Sequence, residues 1–184
     1  YGTGLITTPA DGTVGLAQLS ATGTKDATTF LRGDNTFAEA GGGKLLQVLT
    51  ATDSTQRNAN ITSFGTGSNT LSVTITPSAT SSKILAMANF TTQSYDGGNI
   101  YFTIQRGSTN LGSTNGLAQI GDNSPGGPPA VDVYPTISMS VLDSPNTTSA
   151  TTYQVYFKTT GTSIYGNMNL NSTMGTIIVM EIGA

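Results

Sequence analysis

The groups with which this 184-residue chain could do chemistry are ten carboxylates, seven Lys and Arg side chains and seven tyrosines; histidine and cysteine are absent. Without cysteine there is no disulfide framework, thiolate zinc site or cysteine nucleophile. Without histidine the commonest general base and the commonest transition-metal ligand are missing. No loop of alternating acidic residues suggests calcium, so neither a metal nor any other cofactor is expected. Paired carboxylates could still hydrolyse a glycosidic bond. The acids, however, do not pair in the sequence. Asp11, Asp26 and Asp34 fall in turns, where Asx hydrogen bonds account for them. Glu181 sits in the last apolar strand, Asp143 begins a turn before Pro145, and no β-helix repeats are detectable. The chain reads as a non-enzyme.

Binding chemistry is better represented. Sugar C–H groups stack on aromatic faces, while amides and carboxylates bond the hydroxyls. Tyr95 lies beside Asp96 and Asn99, Tyr134 beside Asp132, and Tyr165 beside Asn167 and Asn169. Asp122 and Asn123 occupy the long irregular stretch 112–130, which is rich in Gly and Pro. Arg32-Gly33-Asp34 spells an adhesion tripeptide, but Gly33 reads more simply as a positive-φ turn residue between Leu31 and Phe37. The four Asn-x-Ser/Thr acceptors, at Asn60, Asn89, Asn146 and Asn171, are expected by chance in so Asn- and Thr-rich a chain.

These groups must be held by strands. Only 9% of residues are charged and 23 are Gly; together with Thr, Ser and Asn this is a composition of strands and turns. Seven basic against ten acidic residues, thinly spread, form no basic stripe, so nucleic acid is not an expected partner. Apolar runs reach only about five residues, too short to span a bilayer as a helix, so membrane insertion is not expected. The opening Tyr1-Gly2-Thr3-Gly4 has no signal-peptide character.

Two regions are expected. Residues 1–43 carry only eight large apolar side chains and end in Gly41-Gly42-Gly43. That is too few to offset about 1–2 kcal/mol of backbone entropy per ordered residue, so burial against other chains is the ordered alternative. From residue 44 the apolar period is two, as in Leu71-Val73-Ile75, Ile100-Phe102-Ile104, Tyr153-Val155-Phe157, Ile164-Met168-Leu170 and the alternation from Val131 to Val141 around Pro135. Three strands are apolar on both faces. In 44–49, Leu45 and Leu49 oppose Leu46 and Val48; in 84–90, the even-numbered residues oppose Leu85 and Met87; in 176–182, Ile177 and Val179 oppose Ile178 and Met180. A sandwich covers one face of each sheet, so the second face calls for a subunit interface. The expected fold is an all-β, antiparallel, jelly-roll-like β-sandwich over 44–184, preceded by an extended segment over 1–43.

Thr24–Ala38 of this sequence, with Ala27-Thr28-Thr29-Phe30-Leu31-Arg32-Gly33-Asp34 at its centre, resembles an element of bacteriophage tail fibres that precedes their C-terminal domain. Asn35 and Phe37 stand where that element has Gly and Trp, which leaves the hairpin intact. Lys44–Val48, Leu71–Leu85, Leu142–Tyr153 and Ile177–Ala184 resemble the C-terminal β-domain of a fibre family of marine and cyanobacterial phages. The resemblance implies a homotrimeric fibre on the virion, extracellular, with residues 1–43 in a shaft or collar joined to other tail proteins. It further implies a distal head that adheres to a host surface glycan or protein. The rival reading is a structural virion fibre or decoration protein without a receptor. Asp122 and Asn123 are the expected receptor contacts, because a long polar loop is most easily placed at a free tip; Tyr95 and Tyr165 follow as stacking platforms.

Overall fold

Two compact units divide the chain, Tyr1–Gly42 and Gly43–Ala184. The computed structural model describes residues 20–39, 43–94, 98–121 and 134–183.

In the first unit, β1 (Thr29–Leu31) pairs antiparallel with β2 (Phe37–Glu39). Arg32 and Thr36 close the hairpin with a 2.8 Å bond from the Arg32 amide to the Thr36 carbonyl. The Asp34 carboxylate accepts from the Thr36 amide at 3.1 Å and from its hydroxyl at 2.6 Å. The positive φ expected at Gly33 falls instead on Asn35, at 60°. The turn runs from Arg32 to Asn35, whose amide bonds the Arg32 carbonyl at 3.0 Å, and the left-handed residue is the one that closes it. Asn tolerates that region through its short polar side chain.

The second unit holds β3 (Leu45–Asp53), β4 (Arg57–Ala59), β5 (Ser72–Ile75), β6 (Lys83–Ser94), β7 (Asn99–Arg106), β8 (Thr109–Asn110), β9 (Ala118–Gly121), β10 (Thr136–Asp143), β11 (Thr151–Thr159), β12 (Gly166–Met168) and β13 (Gly175–Ile182). One sheet runs β3-β13-β6-β10, with β12 pairing the end of β6 and β4 pairing β12; the other runs β5-β11-β7, with β8 and β9 beyond β7. All these pairings are antiparallel. The chain changes sheet repeatedly: β3 in the first, β5 in the second, β6 back in the first, β7 to β9 in the second, then β10, β11 and β13 in alternation. The result is an antiparallel β-sandwich.

Period two selects the core. Leu71, Val73, Ile75, Ile100, Phe102, Ile104, Tyr153, Val155 and Phe157 come from the second sheet, and Ile84 to Phe90 at even positions, Ile137, Met139, Ile177 and Val179 from the first. Each fully buried aliphatic side chain contributes about 1.5–3 kcal/mol. Phe90 and Phe102 meet edge-on across the sheets, ring centres 5.1 Å apart.

The sequence expectation for 164–170 needs correction. Only Gly166–Met168 is strand; Leu170 lies in a 3-10 turn, and Asn169, Asn171 and Ser172 take positive φ. Asn at those positions ends the extended run without the penalty a branched residue would incur.

The 176–182 strand resolves the choice between its faces. Ile177 and Val179 are buried in the core, while Ile178 and Met180 point outward. In β3 a register shift places Leu45 opposite Ile182, whereas Leu49 stands opposite core-facing Val179. Leu45 and Leu49 therefore do not share the face that simple alternation gives them. Across the outer face one row reads Val48, Met180, Leu85 and Leu142. Leu45, Leu46, Val48 and Leu142 are 45–59% exposed.

Candidate functional site

Antiparallel pairing sorts the loops of the sandwich between two ends. Gly43 and Lys44 begin the unit beside Gly183, whose amide bonds the Lys44 carbonyl at 2.8 Å. The start of β6 and the end of β10 lie at that same end, through the Ile84–Asp143 and Lys83–Ile182 pairs. At the opposite end β6 finishes, β7 starts beside the end of β9 (Asn99 opposite Gly121), β10 starts beside Thr91, and β11 finishes beside Ile100. The connections after Ser94, Gly121 and Thr159 therefore leave from one end, away from Gly43.

Those connections carry the residues singled out in the sequence. Tyr95, Asp122 and Asn123 lie outside the described residues. Tyr165 is 47% exposed and Tyr134 50% exposed. The 160–165 turn that presents Tyr165 is firmly held. The Thr160 amide bonds the Asn99 carbonyl at 3.0 Å, the Asn99 amide bonds the Thr160 hydroxyl at 3.1 Å, and the Asn60 side chain donates to the Thr162 carbonyl at 2.9 Å. Ile164 packs over Gly98, where a Cβ would stand only 2.0 Å from its Cδ1. Glycine is required there by close approach.

Asn167 and Asn169, expected as hydrogen-bonding partners beside Tyr165, are buried instead. Asn167 is paired between Asn58 and Gln93 in the ladder, and Asn169 donates its side-chain amide to the Thr55 carbonyl at 3.2 Å. Strand pairing turns Asn167 away from solvent, and Asn169, just past the strand, is held inward by its amide's bond to the Thr91 carbonyl at 2.9 Å and by its side chain's bond to Thr55. Tyr165 thus keeps its exposure but loses its expected amide companions.

The described carboxylates of this unit are each absorbed by structure. Asp53 accepts from the Thr55 and Thr70 amides, both at 2.9 Å, and pairs with Arg57 at 3.4 Å. Burial opposes its charge, but those amides and Arg57 hold it below the usual carboxylate range. Glu181 is fully buried and accepts from Gln47 at 2.5 Å and from the Ser78 amide and hydroxyl at 2.7 and 2.6 Å. Its burial likewise disfavours charge, and the Ser78 and Gln47 hydrogen bonds overcome it, lowering the pKa to about 2. Asp143 takes both oxygens to Arg106 Nη1, at 2.9 and 2.8 Å. Among the described residues no three acidic side chains gather to hold a metal ion.

Sequence reading missed a second set of groups. On the outward side of the second sheet, Lys158 stands opposite Tyr101, Tyr156 opposite Thr103, and Gln154 opposite Gln105. The alternation around Val155 and Phe157 was legible; the pairing of residues about fifty positions apart was not.

No family model matches this chain, and no curated protein sequence matches it. A solved structure similar to it is the crystal structure of the infectious bursal disease virus VP2 subviral particle, at 14% identity and a TM-score of 0.35. The match covers 81% of this chain and 39% of that one, so this chain spans less than half the length of its structural neighbour.

Proposed function

We propose that the chain is the distal part of a bacteriophage tail fibre, a virion component outside the cell that adheres to a host bacterial surface. The target is most simply a surface glycan. In this reading the 44–184 sandwich is a jelly-roll head, a description its sheet-to-sheet winding supports. Residues 1–43 belong to the shaft or collar, and three copies assemble around the fibre axis. The apolar outer row of Val48, Met180, Leu85 and Leu142 serves as the subunit contact.

The observation that carries the reading is the sorting of loops. The connections bearing Tyr95, Asp122, Asn123 and Tyr165 leave the sandwich at the end opposite Gly43. A head joined through Gly43 would present that end outward. Weak contacts there, repeated over three subunits and several fibres, would sum to firm attachment.

The test replaces residues 122–128 with a Gly-Ser linker in the full chain, retaining Gly121, where Asn99 Oδ1 leaves no room for a Cβ. The variant should keep its assembly state and lose adsorption to cells that bind the parent protein. Unchanged adsorption by an intact assembly would remove the loop from the receptor site, and absence of cell binding by the parent would favour a purely structural virion role.

A further inference from the structure

The outward side of the β5-β11-β7-β9 sheet differs in chemistry from the outward side of its partner. Cross-strand register places Lys158, Tyr101 and Gln119 in one row, Tyr156 in the next beside Thr103, which is buried with its hydroxyl bonded to Asn110 Oδ1 at 2.6 Å, and Ser72, Gln154 and Gln105 in a third. Thr74 and Thr152 follow, their hydroxyls 2.7 Å apart. None of these positions carries an acidic side chain. In a chain of net charge −3 this strip holds one charge, and it is positive.

Lys158 is set by its surroundings. Its Nζ lies 4.8 Å from the centre of the Phe64 ring and 5.3 Å from that of Tyr101, and it donates to the Thr114 carbonyl at 2.8 Å. Phe64 reaches this place because neighbouring Gly65 pairs with Phe157 by bonds of 3.0 and 2.9 Å. The ammonium is surrounded by two rings and a carbonyl rather than by a carboxylate. A fixed cation between aromatic rings retains donors for an incoming anion.

We propose that this sheet face binds an acidic glycan, with sugar rings lying on Tyr101 and Tyr156 and a uronate carboxylate at Lys158. The side-chain amides of Gln105 and Gln119 are placed to bond hydroxyls along the strip. Gln154, whose Nε2 donates to the Asn69 carbonyl at 3.2 Å, offers its carbonyl oxygen. The strip's positive charge favours an acidic over a neutral polymer, since the rest of the chain is net acidic and would repel it elsewhere. The inference rests on the adhesion reading and gives it a ligand class and a second surface, on the sheet rather than at the loop end.

Calorimetric titration of the full chain with hexamers of galacturonate and mannuronate, and with maltohexaose as the neutral control, tests it. At least one acidic hexamer should bind tenfold or more tighter than maltohexaose. Lys158→Gln should reduce that affinity about tenfold, and Tyr156→Ala by a similar factor, with thermal melting checked for both. Should Tyr156→Ala fail to fold, Lys158→Gln alone decides. Equal binding of maltohexaose, no binding of either acidic hexamer, or unchanged affinity in Lys158→Gln overturns the proposal. Parent protein that adsorbs to cells but ignores both acidic hexamers would sink this sheet site and leave adhesion through the loop end standing. Tight uronate binding lost in Lys158→Gln but kept in the 122–128 replacement would locate the ligand on the sheet.

Discussion

The Tyr153 hydroxyl donates to Asp143 Oδ2 at 2.6 Å, tying β11 of one sheet to β10 of the other. Arg106 of β7 completes the clasp through Asp143 and the Ser144 carbonyl, the latter at 3.3 Å. Burial first, and then the bond to Asp143, push the Tyr153 phenol well above its ordinary pKa. It stays a protonated donor.

Removing that donor measures the clasp. Tyr153→Phe retains the buried ring and deletes one hydrogen bond to a charged acceptor, so stability should fall by about 1.5–3 kcal/mol. Asp143→Ala leaves the phenol without its acceptor and the Arg106 guanidinium without its carboxylate, and should cost more, about 3–5 kcal/mol. Urea unfolding of the two variants gives the order; an equal or reversed pair would show that Arg106 finds another partner.

Acid should loosen the Gly43 end of the sandwich. The Glu181 carboxyl falls from an ordinary 4.5 to about 2 in the fold. Its contribution is therefore complete above about pH 4.5 and disappears as the pH falls through about 2. Glu181→Gln should lose stability at pH 7 and show a flatter decline between pH 4.5 and 2. Denaturant melts across that window check it, and a parallel decline in both proteins would place the acid sensitivity elsewhere.

Neighbouring residues of β13 should respond in opposite ways. Val179→Asp places a charge in the core and should unfold the second unit. Met180→Asp alters the outward row, so the sandwich should melt normally while the proposed trimer dissociates. Sedimentation of Met180→Asp at the parent's mass would show that this face is not the subunit contact.

Gly67 takes φ of 54°, and a Cβ there would stand 2.4 Å from the Phe157 ring. Gly67→Ala therefore combines a disfavoured backbone conformation with a clash against a core aromatic. A loss of more than about 1 kcal/mol is expected in thermal or urea unfolding. A neutral outcome would mean that the 65–69 segment moves freely away from β11.

Composition and period two alone determined that this chain is built of strands, and which alternate residues share a face. Leu71, Val73 and Ile75 illustrate it, since side chains on a pleated strand alternate whatever lies beyond them. Which apolar face turns inward was decided by the tertiary structure. Ile177 and Ile178 are adjacent and equally apolar, and only packing of β13 over the second sheet buries the first. The register shift near Ile182 likewise moved Leu45 off the Leu49 side. At the candidate site the exposed tyrosine at 165 was legible, but the burial of Asn167 followed from ladder partners, and that of Asn169 from hydrogen bonds to Thr55 and Thr91, all remote in sequence. Lys158, Tyr101 and Phe64 meet for the same reason. Long-range antiparallel register, fixed by what the core must bury, determines which distant side chains become neighbours.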